Sequence, residues 1–77
     1  MNQAGIYTEW QRLCEEYEDA HEANFQAYTT VNRKFVAIGQ GTSNTNPTND
    51  ELLKFENTRI ALEDVIQRMN QFMKKNS

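Results

Sequence analysis

Cysteine, proline and tryptophan occur once each in this chain, and glycine three times. Each scarcity excludes something. A lone Cys14 forms no intramolecular disulfide, and a single thiol without a secretory leader fits a reducing compartment. The opening Met-Asn-Gln-Ala-Gly lacks the basic patch and apolar run of a signal peptide, so a cytoplasmic setting is expected. No stretch approaches about 18 consecutive apolar residues, which excludes a membrane-spanning helix. Positive charge is short as well: eight Lys and Arg stand against eleven Asp and Glu, for a net charge of −3. Nucleic-acid affinity rests on neutralising phosphates, so this balance argues against that partner.

The near-absence of helix breakers leaves a long periodic stretch. Between Ile6 and Ile38 there is neither Pro nor Gly. Read at about 100° per residue, Ile6, Trp10, Leu13, Tyr17, Ala20, Asn24, Tyr28, Val31, Phe35 and Ile38 share one face. That predicts one helix on the order of 50 Å long, over about residues 5–38. Thr8-Glu9-Trp10-Gln11 matches a capping box, although Ile6 already belongs to the stripe and places the start nearer Asn2. Arg33 and Lys34 suit the negative end of the helix dipole, and Gly39 offers a left-handed cap.

Residues 39–47 contain two glycines, the proline and small polar residues, and read as a connector. Gly39-x-Gly41 follows no strand and precedes no lysine, so it is not a phosphate-cradling loop. Thr48-Asn49-Asp50-Glu51 is a second capping box, opening a helix over about residues 48–75. Its stripe is Leu52, Phe55, Arg59, Leu62, Val65, Ile66, Met69, Phe72 and Met73, and Lys74 and Lys75 close its last turn. The fold expected for residues 1–77 is therefore one all-α domain, an antiparallel two-helix hairpin with coiled-coil packing. Counting outward from the loop pairs Ile38 with Leu52, Phe35 with Phe55, Tyr28 with Leu62 and Tyr17 with Met73, leaving Trp10 at or beyond the end of the second helix. The acidic first half of helix one then lies beside Arg68, Lys74 and Lys75. A charge at Tyr17 is expected to break the seam.

A hairpin of this size has one seam, and a 77-residue chain buries only about 60% of its unfolded surface. Each helix also carries apolar residues off its stripe: Tyr7, Cys14, His21, Phe25 and Val36 on the first, and Leu53, Ile60 and Ala61 on the second. The economical solution is a homodimer packing four helices into a bundle. Tyr7, Trp10, Cys14, Tyr17, His21, Asn24, Phe25, Tyr28, Leu53 and Ile60 are its expected interface. Asn24 is a stripe amide with two readings: one that selects register, bonded to its own copy or to a backbone carbonyl, or a partly hydrated side chain facing a gap. Arg59 reads as a snorkelling edge residue.

No catalytic constellation is present, and no cofactor is expected. Cys14 and His21 lie seven apart on one rod, too far for a nucleophile and its base, and supply two ligands where zinc takes four. Glu18-Asp19-Ala20-His21 contains the Glu-x-x-His that resembles the di-iron motif of ferritin-like bundles. That resemblance covers four residues, and it implies Glu18 and His21 as metal ligands. Glu56, Glu63 and Asp64 of helix two lie off its apolar face, so the carboxylate partners are missing. Rop-like RNA regulators are also dimers of short helical hairpins; that similarity is architectural, without a motif match, and RNA binding would require Arg33, Lys34, Lys54 and Arg59 to gather into one patch near the loop. Secreted WXG hairpins carry Trp-x-Gly at the turn, whereas the one tryptophan here is Trp10. The favoured function is a non-enzymatic protein–protein interaction module, an adaptor, regulator or chaperone-like subunit acting as a homodimer, with an unidentified protein partner possible.

Overall fold

The computed structural model describes residues 3–77, and Met1 and Asn2 lie outside the described residues. Two helices, α1 (Gln3–Gly39) and α2 (Asn49–Lys75), form an antiparallel hairpin whose Cα extents are 59 × 18 × 14 Å. There is no strand among the described residues, and none of their helices is long and apolar enough to cross a membrane. The expected all-α hairpin is the fold. Whether the helix begins at Asn2 lies outside the described residues.

The seam keeps a strict heptad. In α1 the residues turned toward α2 are Trp10, Tyr17, Asn24, Val31 and Ile38 at a positions, with Ile6, Leu13, Ala20, Ala27 and Lys34 at d. In α2 they are Phe55, Leu62 and Met69 at a, continued by the cap residue Asn76, with Glu51, Thr58, Val65 and Phe72 at d. Every one is buried or half-buried, and among the described residues Val65 is the one side chain below 2% exposure. A period of 3.5 rather than 3.6 is what two helices need to stay in contact along their length. The stripe read at 100° per residue leaves this seam after Asn24. It takes Tyr28 and Phe35, which are 46% and 52% exposed, where the hairpin takes Ala27 and Lys34. On α2 it likewise takes Arg59 in place of Thr58.

The register also differs from the one counted outward from the loop. Trp10 stacks on Phe72 with ring centroids 5.5 Å apart, and Tyr28 meets Phe55, not Leu62, at 5.9 Å. Each level of α1 therefore faces α2 about seven residues nearer the loop. A heptad repeat looks the same after a seven-residue slip, so apolar periodicity alone does not choose between these registers.

The connector is built to fit the observed register. α1 ends in a Schellman motif: the Thr42 N–H donates to the Ala37 carbonyl at 3.0 Å and the Gly41 N–H to the Ile38 carbonyl at 3.0 Å. Gly41, not Gly39, adopts the left-handed conformation, with φ of 75°. Gly39 is the last helical residue, and neither Arg33 nor Lys34 falls in the last turn. The chain then reaches a buried Pro47 before Thr48 caps α2. The predicted box is present there: the Thr48 hydroxyl accepts from the Glu51 N–H at 3.1 Å, and the Glu51 carboxylate accepts from the Thr48 N–H at 2.8 Å. The box predicted at Thr8 is absent, because Thr8 lies inside α1 and its hydroxyl donates to the Ala4 carbonyl at 2.8 Å.

The two glycines should respond oppositely to alanine. A Cβ at Gly39 meets no atom within 4 Å, so Gly39→Ala should stabilise by about 0.5 kcal/mol through the unfolded chain. Gly41→Ala forces a side chain into left-handed backbone and should cost about 1 kcal/mol or more. Urea denaturation of the pair reads both signs.

Candidate interaction surface

Polar contacts lock the hairpin at three levels. Near the loop, Lys34 Nζ lies 2.6 Å from Glu51 Oε1, tying the end of α1 to the cap of α2. That bond first, and the Thr48 backbone second, hold the Glu51 carboxyl below its ordinary value of 4.5. A depressed carboxyl contributes stability above its unfolded pKa and loses it as pH falls through the folded one. The thermal midpoint should therefore drop as the solution is acidified below about pH 4.5, and Glu51→Gln should flatten part of that slope. At mid-length Asn24 Nδ2 donates to Thr58 Oγ1 at 3.2 Å, and that hydroxyl donates back to its own helix at the Lys54 carbonyl. The seam amide thus finds its partner within the chain, where a bond to its own copy or to a backbone carbonyl was expected. Towards the open end Arg68 bridges Glu16 and Asp64, each at 3.0 Å. This pair realises the expected contact between the acidic part of α1 and the basic end of α2.

The two flanks of the hairpin differ in kind. On one side, at g positions, lie Glu9, Glu16 and Thr30 of α1 with Lys54, Arg68 and Lys75 of α2. A shallow open groove on that side is lined by Glu9, Arg12, Glu16, Arg68 and Lys75 among others, with Arg68 already held by carboxylates. On the other side the e positions of α1 are Tyr7, Cys14, His21, Tyr28 and Phe35, spaced by seven throughout. Those of α2 are Leu52, Arg59, Ile66 and Met73, also spaced by seven. Arg59 is the single charged residue among them, and it is enclosed by Glu56 and Glu63 of its own helix. It sits beside the seam, in agreement with an edge role.

Most of the e flank is open to solvent. Tyr7 is 63% exposed, and Tyr28, Phe35, Leu52, Ile66 and Met73 are all exposed. Cys14 is half-buried and unpaired. His21 stacks between Tyr17 and Phe25, at 5.8 Å and 6.5 Å between centroids, so an aromatic ladder crosses the middle of the flank. The expected interface residues therefore separate into three groups. Tyr7, Cys14, His21, Tyr28 and the adjoining Phe25 share this flank. Trp10, Tyr17 and Asn24 serve the internal seam. Leu53 and Ile60 are exposed at f positions on the outer side of α2, away from both. Sequence reasoning missed Phe35, Leu52, Ile66 and Met73 as flank residues. The signal was the seven-residue spacing itself, hidden because all four had been assigned to the seam.

No group of three or more His, Cys, Asp or Glu residues is arranged to hold a metal ion among the described residues. Glu18 is exposed at a b position, and His21 is exposed at an e position. Of the four cations considered for RNA, Lys34 and Arg59 are held by carboxylates. What the fold and this flank define is a coiled-coil hairpin with one polar and one apolar side. No family model matches the chain, and no curated protein or solved structure matches it either.

Proposed function

We propose that the hairpin is a non-catalytic protein–protein interaction module that acts as a homodimer, in an adaptor, regulatory or chaperone-like role. The observation that carries this reading is surface area. The chain exposes 6025 Å², whereas a folded monomer of 9.0 kDa exposes about 4,900 Å². Ten large apolar side chains are exposed among the described residues, and six of them are at e positions of one flank. An exposed apolar surface of this extent marks a binding face. An acidic overall balance and carboxylate-held cations favour protein over nucleic acid as the partner, and a cytoplasmic setting suits the free thiol.

Sedimentation equilibrium from low to high micromolar concentration tests the dimer. A mass of twice 9.0 kDa supports it, and a monomer throughout the range refutes it. Affinity capture from the native host then identifies any further protein. Binding of RNA with a steep salt dependence would overturn the reading in favour of the Rop-like alternative. Metal analysis of untagged protein addresses the Glu18/His21 alternative, which a stoichiometric transition metal would revive.

A further inference from the structure

The geometry points to the e flank as the surface on which a second copy of this chain seats, with the two hairpins head to tail about a twofold axis crossing at the level of His21 and Arg59. This rests on the homodimer reading and adds which face and which orientation. Two observations choose the occupant. The first is extent and character: the exposed Tyr7, Tyr28, Phe35, Leu52, Ile66 and Met73 are spaced by multiples of seven residues on each helix along the flank of a 59 Å rod, and a second hairpin is a partner of matching length and apolar character.

The second observation is charge, which sets the orientation. Over residues 3–22, α1 carries six acids against Arg12, and over residues 23–39 it carries Arg33 and Lys34 with no acid. Residues 63–75 of α2 carry Glu63 and Asp64 against Arg68, Lys74 and Lys75, while residues 49–62 carry three acids against two bases. The open half of the hairpin is thus net −4 and the loop half net +1. Side by side in the same direction, two copies would align their −4 halves and repel. Head to tail, each acidic half faces the positive half of its partner. A perpendicular twofold axis does this with α1 on α1 and α2 on α2, and full overlap brings it across α1 at residue 21, the middle of Gln3–Gly39.

The test uses the full chain and three readouts. Tyr28→Glu and Ile66→Glu place helix-compatible charges on the flank, and each should weaken the dimer about 100-fold or more, because every change counts twice across a twofold axis. Leu53→Glu and Ile60→Glu, on the outer face, should leave the mass unchanged. Circular dichroism confirms that each variant is helical, and the two flank variants serve as checks on one another. Dimer loss in the outer-face variants with retention in both flank variants would overturn the flank assignment while leaving the homodimer intact. A monomeric wild type would instead sink the underlying reading. For orientation, a spin label at Asn44→Cys in a Cys14→Ser background should give a distance between copies near the 59 Å length of the rod. A distance under about 25 Å, two helix diameters, would overturn the head-to-tail arrangement.

Discussion

Val65→Asp is expected to abolish the helical hairpin. Val65 is 1% exposed and lies at a d position in the middle of α2, with no polar side chain buried around it to receive a charge. An unpaired buried carboxylate costs about 3–5 kcal/mol, and a chain of this length is stabilised by only about 4–12 kcal/mol. The hairpin belongs at the low end of that range, because among the described residues only Leu13, Ala27 and Val31 join Val65 and Pro47 as buried. Far-UV circular dichroism should show most of the helical signal lost. Val65→Ala is the control: it removes two methyl-sized groups, should cost about 1.5–2 kcal/mol, and should stay helical with a lower urea midpoint. Tyr17→Asp should fall between them. Tyr17 is a half-buried a residue, so its carboxylate reaches water at the edge of the seam while the packing and the stack on His21 are lost. A Val65→Asp protein that melted like the parent would show that the seam lies elsewhere.

Element type was readable from the sequence because long uninterrupted periodicity is insensitive to small errors of phase. Thr48 through Glu51 marked the start of α2 correctly, since a capping box is a local device and needs nothing distant to form. The start of α1 was harder. Thr8 has the same local pattern but lies within a helix that continues to Gln3, where its hydroxyl bonds back to Ala4. Phase and register were the parts that local reading missed. Tyr28 and Phe35 are large and apolar, and an aromatic beside the seam looks on a helical projection like an aromatic within it. Ala27 won the seam position because helices that wrap around each other hold a period of 3.5, and a small residue there allows Phe55 to pack close to Tyr28. The candidate surface was legible as a set of off-stripe residues. Its continuity was not, because it depends on the true register bringing the e positions of the two helices together.

Replacing Asn24 and Thr58 together should raise stability and loosen the register. The two side chains form the polar layer of the seam, joined at 3.2 Å. In the register slipped by seven residues, Asn24 would face Val65 or Ile66 and its amide would go unpaired, at a cost of about 1–3 kcal/mol. Trp10 would also lose Phe72, and Lys34 would lose Glu51. These three penalties on the competitor are what make the observed register unique. Thr58→Val alone strands the amide and should destabilise by about 1–3 kcal/mol. Asn24→Leu with Thr58→Val removes both polar groups and should recover that loss or exceed it, giving a coupling energy of about 1–2 kcal/mol in the double-mutant cycle. The same double variant removes one of the three penalties, so the slipped form becomes populated, and adding Trp10→Ala should increase it further. Spin labels at Arg12 and Lys54, in the Cys14→Ser background, separate the two forms. A slip of seven residues lengthens that distance by about 10 Å, so the double variant should show a second, longer peak that the parent lacks. A single unchanged peak in the triple variant would mean that the connector from Gly41 to Pro47, together with the Lys34–Glu51 pair, holds the register. Asn24 and Thr58 would then serve only to satisfy each other.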